Sequence, residues 1–393
     1  MFKKIDHKIL APVIILSIVG LLMIFSTAGL SYALRQGIWF IVALSLALTF
    51  SKVSPRIWYN ISPFIYAVTI ILLFVILFSH GVYPKRWFRL GWFSFQPSEF
   101  AKLATILILA NFLARRKKME SFADMFIPLL IATIPAALIF VEPDLGAAQI
   151  FFPILIVMLY WGGMPGAKIF IFFSPIISAA ASFSIYIWVF YIIALTVFLY
   201  FHRQLGDFVY GLVSNSLAGL TMPIVWHSLK AYQQKRIISF FSPWVDPQGM
   251  SWQIIQSKIA IGSGRLFGKG FLSGTQKKLE FLPERHTDFI FSCLGEEFGL
   301  IGITLTLLII VYLLYRIIVL VKETKNRFSS ICACGICAWL GYQTFLNIGM
   351  TIGLLPITGV PLPFISYGGS SLLASFMAIG VCLAITKSKL EYS

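Results

Sequence analysis

Acids set beside cations at the ends of apolar segments are the groups in this chain able to do chemistry. In Pro283-Glu284-Arg285-His286-Thr287-Asp288, an aspartate stands just before the apolar Phe289-Ile290-Phe291. A helix N-terminus would lower its pKa, whereas flanking phenylalanines and lipid would raise it. Asp288 is therefore either a group that neutralises a helix end or an acid/base, and residue types leave both open. Thr287 is placed to cap the same helix. Glu284 lies four residues earlier, so a helical turn would put both carboxylates on one face. Such a pair can divide acid and base roles or hold a divalent cation; equally, it can be a solvated helix start. His286 is singled out by position only. His7, His80, His202 and His227 have no metal spacing and receive no role.

Further segments offer anion contacts. Glu99 and Lys102, at the start of an apolar run, are three residues apart and can pair. Ionisable groups at membrane depth are costly, so this is a functional pair or a self-satisfied structural one. Arg86 and Trp87 upstream supply a cation and an apolar body. In Glu142-Pro143-Asp144-Leu145-Gly146, Asp144 either caps the helix that follows or faces a cavity. The glycine-rich stretch 262–270 is not a Walker A loop. With Lys269 as its lysine, the first glycine would fall on Ser263, and Gly270 stands where Ser or Thr is required. Its backbone N–H groups with Arg265 and Lys269 could still wrap a phosphate, the alternative being a surface loop. Residues 251–261 read as a short surface helix with Gln253, Gln256 and Ser257 on its polar side and Lys258 beside them. The Gly- and Pro-rich segment 349–371, with Ser366, needs protein or a wet cavity to cover its irregular backbone.

The elements that must position these groups are membrane helices. Of 393 residues, 59% are hydrophobic and 12% charged, and the mean hydropathy is +0.88. That excludes a soluble globule, a disordered chain and a disulfide scaffold. Apolar runs fall near 9–29, 36–51, 61–79, 98–114, 125–141, 146–161, 168–185, 186–201, 208–228, 299–321, 330–349 and 372–387. The expectation is an all-α polytopic membrane protein of about 12 spans, one integral domain over 1–393. Lys3, Lys4 and Lys8 precede a first run with no clear cleavage site, which reads as a retained span. Cys332-x-Cys334-x-x-Cys337 lies within a run and reads as small apolar residues.

The net charge of +16 would suggest nucleic acid in a soluble protein. Here the positive-inside rule accounts for much of it, and no nucleic-acid partner is expected. With both termini cytoplasmic, every inner loop carries a cation: Lys52 and Arg56, Arg115 to Lys118, Lys168, Arg203, then Lys322, Lys325 and Arg327, then Lys387. Two outer loops, 80–97 and 229–298, are also basic, with Lys85, Arg86 and Arg89 in the first. The second has Lys230, Lys235, Arg236, Lys258, Arg265, Lys269, Lys277, Lys278 and Arg285. Topology does not require those cations; an anionic ligand at the outer membrane surface would.

In order along the chain, these segments resemble the SEDS family (shape, elongation, division and sporulation). The matching text is Arg86-Trp87; Gln96 through Lys102; Pro143-Asp144-Leu145-Gly146; Gln256 through Gly264; Gly268-Lys269-Gly270; Phe281 through Phe291; Asn347 through Met350; Gly353 through Pro356; and Gly359 through Ser371. The segment 279–291 looks most like the elongation branch, with the division branch next. The resemblance implies a helical bundle with a large extracytoplasmic catalytic loop. It implies a peptidoglycan glycosyltransferase that joins lipid II to a glycan on undecaprenyl pyrophosphate, at the outer face of the cytoplasmic membrane. A class B penicillin-binding protein is the implied partner, membrane lipids surround the bundle, and a divalent cation (magnesium or manganese, site unknown) is the implied cofactor. Asp288 maps to the family's essential aspartate, with Asp144 also important. Arg86, Trp87, Glu99, Lys102, Gln256, Lys258, Ser263, Lys269, Glu284, His286, Thr287 and Ser366 are the expected substrate contacts. A lipid II flippase is the alternative activity. The chain departs from the family in Glu142 and Ala147, where glutamine and threonine are usual. It also departs in region 168–228, which reads as holding an extra helix pair on a core of ten.

Overall fold

The computed structural model describes residues 6–78, 86–90, 93–116, 119–202, 204–228, 234, 250–275 and 284–391. Lys3, Lys4, Lys85, Lys117, Lys118, Arg203, Lys230, Lys235, Arg236, Lys277 and Lys278 lie outside these, as do 281–283 and the side chain of Arg89.

The apolar runs become helices: α1 His7–Ala28, α2 Leu30–Phe50, α3 Pro55–Leu77, α4 Pro97–Arg115, α5 Ala123–Val141, α6 Leu145–Ala148, α7 Phe151–Trp161 and α8 Gly166–Ala181. There follow α9 Ile185–His202, α10 Leu205–Ser228, α11 Met250–Ser263, α12 Ile290–Glu323, α13 Arg327–Thr351 and α14 Gly369–Glu391. Among the described residues, ten are long and apolar enough to cross a bilayer, and 145–161 and 166–181 are shorter apolar stretches. The expected twelve apolar segments are thus all helical, two of them short.

Local chemistry sets the boundaries. The Asp6 carboxylate accepts from the Lys8 N–H at 2.9 Å and starts α1, and Asn326 accepts from the Ser329 N–H at 3.0 Å and starts α13. Pro55 and Pro97 open α3 and α4, where a missing N–H breaks no helical bond. In α12 the backbone breaks at Gly299, at φ +64° and ψ −162°. A Cβ there would lie 2.3 Å from the Gly268 nitrogen, so only glycine fits. The spanning part of α12 starts after this kink, as the run 299–321 predicts; the helical stretch before it carries Glu296 and Glu297.

The buried centre is α4, α13 and α14. Helix α13 packs on α4, α7 and α12, α14 on α2, and α1 on α12 and α2. Helices α8 to α10 form a satellite with its own core of Ile171, Leu195 and Leu199. Its polar seam is satisfied internally: Asn215 Nδ2 donates to Ser174 Oγ at 2.7 Å, and the Tyr191 hydroxyl to Asn215 Oδ1 at 3.1 Å. A short antiparallel hairpin, β1 Phe88–Leu90 and β2 Phe93–Phe95, was not expected from the sequence. It leads directly into α4 and sits at the end of the bundle where α1 ends and α2, α12 and α14 begin.

Candidate active site

At that end lies a cavity of about 550 Å³. Its floor and walls are built by chain segments distant in sequence. The turn 284–288 enters ahead of α12 and is held from behind. Asn347 of α13 donates to the Asp288 carbonyl at 2.9 Å and to the Val360 carbonyl at 2.8 Å. Ser366 Oγ donates to the Thr287 carbonyl at 2.6 Å, and the Tyr367 N–H donates to the His286 carbonyl at 2.9 Å. The irregular segment 349–371 therefore covers the turn and fixes its backbone. This satisfies the demand that non-helical backbone near a membrane be protein-covered.

Asp288 is half-buried and faces the cavity. Its N–H donates to the Glu284 carbonyl at 3.1 Å, a helical turn that brings the two carboxylates together. Burial, then Glu284, then Asp144 push its pKa up to about 7, against the pull of Arg86. Glu284 is exposed on the cavity rim with a left-handed backbone, φ +53°. Thr287 does not cap α12. The helix starts three residues further on, its N-cap Phe289 makes no side-chain bond, and the Thr287 hydroxyl donates instead to the Glu284 carboxylate at 2.9 Å.

Across the cavity, Asp144 both caps and faces inward. Its Oδ1 accepts from the Ala147 N–H at 3.1 Å, while Oδ2 takes Gln96 Nε2 at 3.4 Å and stands 3.8 Å from Arg86. Burial raises its pKa more than Arg86 lowers it. Arg86 is anchored by donating to the Glu142 carbonyl at 3.1 Å and to the Pro143 carbonyl. Both carboxylate oxygens of Glu142 are buried without a hydrogen-bond partner. Burial, with Asp144 beside it, pushes this pKa up to about 8, so Glu142 is held neutral where the resembled family has a glutamine. The neutral carboxyl is an isostere of that amide.

Trp87, Glu99 and His286 complete the expected residues on the cavity. The His286 ring lies 5.1 Å from Tyr32 and 5.4 Å from Tyr367, and burial lowers its pKa. Arg35 also lines the cavity, and it was missed. The only signal in the sequence was a cation just outside the second apolar run, in a place assigned to a connecting turn. Helix α2 in fact begins at Leu30 and carries it inward.

Six expected contacts are elsewhere. Lys102 is fully buried, 2.8 Å from Glu99, 3.1 Å from Gln343 Oε1 and stacked over Trp339. It cannot reach a ligand, and Glu99 alone of the pair meets the cavity. Ser263 and Lys269 form no phosphate cradle. The loop wraps its own chain: the Lys269 and Gly270 N–H groups donate to the Glu296 and Glu297 carbonyls at 2.9 and 3.0 Å, and Lys269 Nζ reaches Glu296 Oε1 at 2.8 Å. The Ser263 hydroxyl turns back to the Ala260 carbonyl at 2.9 Å. Gln256 is buried in α11, and Lys258 lies over Gly353, both outside the cavity lining. Ser366 supports the turn from behind rather than lining the cavity.

Among the described residues, no three His, Cys, Asp or Glu side chains are grouped to hold a metal ion.

The chain matches the FtsW/RodA/SpoVE family model, described as cell cycle protein, over residues 6–391. It is 34% identical over 387 residues to the peptidoglycan glycosyltransferase MrdB of Escherichia coli K12, covering 97% of this chain and 93% of that one. It is 36% identical over 368 residues to the probable peptidoglycan glycosyltransferase FtsW of Coxiella burnetii, covering 90% and 86%. A solved chain from a peptidoglycan synthase complex that coordinates polymerization and crosslinking superposes with a TM-score of 0.76 at 26% identity, over 99% of each chain.

Proposed function

The chain belongs to the FtsW/RodA/SpoVE family, and on that premise we propose that it is a peptidoglycan glycosyltransferase polymerising lipid II during cell elongation, with Asp288 as general base. The observation that carries the reading is a half-buried carboxyl with a pKa near 7 on a cavity that also exposes Arg35 and Arg86. A base is most effective when its pKa lies near the working pH.

The acceptor is lipid II and the donor a glycan on undecaprenyl pyrophosphate. The acceptor's GlcNAc 4-hydroxyl gives its proton to the Asp288 carboxylate as its oxygen bonds to the donor's anomeric carbon. The bond from that carbon to the diphosphate oxygen breaks, and undecaprenyl pyrophosphate leaves with the electron pair. Arg35 and Arg86, on the same cavity, stabilise the departing negative charge. Of the cations expected at an anionic ligand, Arg86 is on the cavity, joined by Arg35, while Lys102, Lys258 and Lys269 are not. Trp87, Trp39 and Ile38 on the cavity wall offer apolar surface to the lipid stem. A divalent cation, if bound, would be held in part by the diphosphate's own oxygens and would stabilise its charge.

The cavity faces the extracytoplasmic side in this reading, with both termini cytoplasmic. Support comes from Lys52, Arg56, Arg115, Arg116, Lys168, Lys322 and Lys325, all at the opposite helix ends. Support for a class B penicillin-binding protein as partner comes from the likeness to a chain of a synthase complex. Helices α8 to α10 would hold the extra pair relative to a ten-span core. A flippase is the weaker reading, because Lys102, the cation bonded to the cavity-lining Glu99, is fully buried rather than open to a path.

The test is polymerisation of lipid II by purified protein. Asp288→Asn is expected to lose activity by a factor on the order of 10²–10⁴. Glycan of normal yield from that variant would remove Asp288 from the reaction.

A further inference from the structure

Away from the cavity, an open groove of about 490 Å³ runs between α1 and α12. Ala11 and Ile15 line one side, and Leu305, Leu308 and Tyr312 the other, most of them exposed. One mouth of this apolar groove is charged. His7 and Lys8 line it, at the start of α1. One turn beyond Tyr312, Arg316 stands 3.6 Å from Asp6. Among the described residues, Asp6 is the acid at this mouth, beside the cations Lys8 and Arg316. The Nε of Arg316 is buried with no hydrogen-bond partner.

Length selects the occupant. Residues 305–312 cover about 12 Å of helix axis. That is less than half of a hydrocarbon core of about 30 Å, so the groove matches acyl chains of one leaflet. A spanning helix of a partner would overhang it by more than half its length.

We propose that this groove binds one anionic glycerophospholipid, its acyl chain laid between Ala11 and Leu308 and its phosphate held by Lys8 and Arg316. The cations at the mouth discriminate for a net negative headgroup, and the apolar walls discriminate for a lipid over a soluble phosphate. In the orientation proposed above, the lipid belongs to the cytoplasmic leaflet, on the other side of the membrane from the reaction. The site is independent of the glycosyltransferase reading and shares no residue with that cavity.

The experiment is lipid competition on the purified full-length chain, read by native mass spectrometry after mild delipidation. Phosphatidylglycerol and phosphatidylcholine with identical acyl chains are the probes. Phosphatidylglycerol should be retained over phosphatidylcholine by about fivefold for each engaged cation. Lys8→Glu should abolish the preference while leaving some retention of both. Ala11→Trp should displace both lipids by filling the groove. A photoreactive benzoylphenylalanine at position 308 should yield a glycerophospholipid adduct. Equal retention of the two lipids, a preference that survives Lys8→Glu, or an adduct to a polypeptide would each overturn the proposal. Polymerisation of lipid II, assayed on the same variants, reports their folding. Its loss in the wild type would count against the enzyme reading and not against the lipid site.

Discussion

Asp288 ionises near pH 7 because three effects disfavour its charge, and each can be tested by itself. Its carboxyl is withdrawn from bulk water, Glu284 sits one turn away, and Asp144 faces it across the cavity; Arg86 opposes them. Below pH 7 the group holds its proton and cannot act as base. The kcat/KM profile of the free enzyme should therefore fall on the acid side of about 7, roughly tenfold per pH unit. Glu284→Gln removes the stronger of the two negative influences, so the acidic limb should move to lower pH. Arg86→Gln removes the opposing cation, so the limb should move to higher pH. A limb that stays in place in both variants would mean that another group titrates. The same shift makes a statement about stability. A carboxyl whose pKa is raised from 3.8 to about 7 binds its proton more tightly folded than unfolded. Its favourable contribution is complete below about pH 4 and is lost as pH climbs through 7. Asp288→Asn cannot ionise, so at pH 8 it should melt at or above the wild-type Tm while being inactive. A lower Tm would make the residue a structural one.

The loop 264–275 shows why a motif read without its partner misleads. Glycines with a lysine look the same in sequence whether they wrap a phosphate or a carboxylate of their own chain. What decides is Glu296 and Glu297, 0% and 1% exposed, which lie more than twenty residues further on. Gly268 holds φ +80°, and a Cβ on it would meet the Glu297 carbonyl oxygen at 2.1 Å. Lys269 and the Thr275 N–H and hydroxyl, all at 2.8 Å, satisfy Glu296 Oε1. Lys269→Ala therefore takes a cation away from a buried carboxylate. It should cost roughly 2 kcal/mol of stability, seen as a lower Tm, with KM for lipid II unchanged. A raised KM at unchanged Tm would restore the phosphate role. Other elements were legible for the opposite reason, since their signal is local. The run boundaries, the cap by Asp144 and the 284–288 turn depend on neighbours within four residues. Arg35 was illegible because its meaning depends on α2 starting at Leu30 and on a cavity assembled from five separate segments.

Helices α8 to α10 set the topology of everything after them. An even number of extra crossings leaves the 284–288 turn on the same side as Arg86, whereas an odd number would separate them. The structure unites the two on one cavity. The satellite touches the main bundle mainly through α7 and α8, so its internal contacts must hold its own crossings in place. At the end away from the cavity, Asp207 at the start of α10 binds His202 of α9 at 2.9 Å and lies 3.9 Å from Lys168 of α8. That places the α9–α10 turn with the cation-rich helix ends and the α8–α9 turn with the cavity. The two turns should consequently lie on opposite faces of the membrane. With the five native cysteines replaced, Ser184→Cys in intact cells should react with a membrane-impermeant maleimide. Gln204→Cys and Lys52→Cys should react only after permeabilisation. Labelling of Gln204→Cys from outside would reverse the crossings of α9 and α10. Labelling of Lys52→Cys from outside would turn the whole bundle over, putting the cation-rich helix ends outside against the positive-inside rule and Asp288 on the cytoplasmic face.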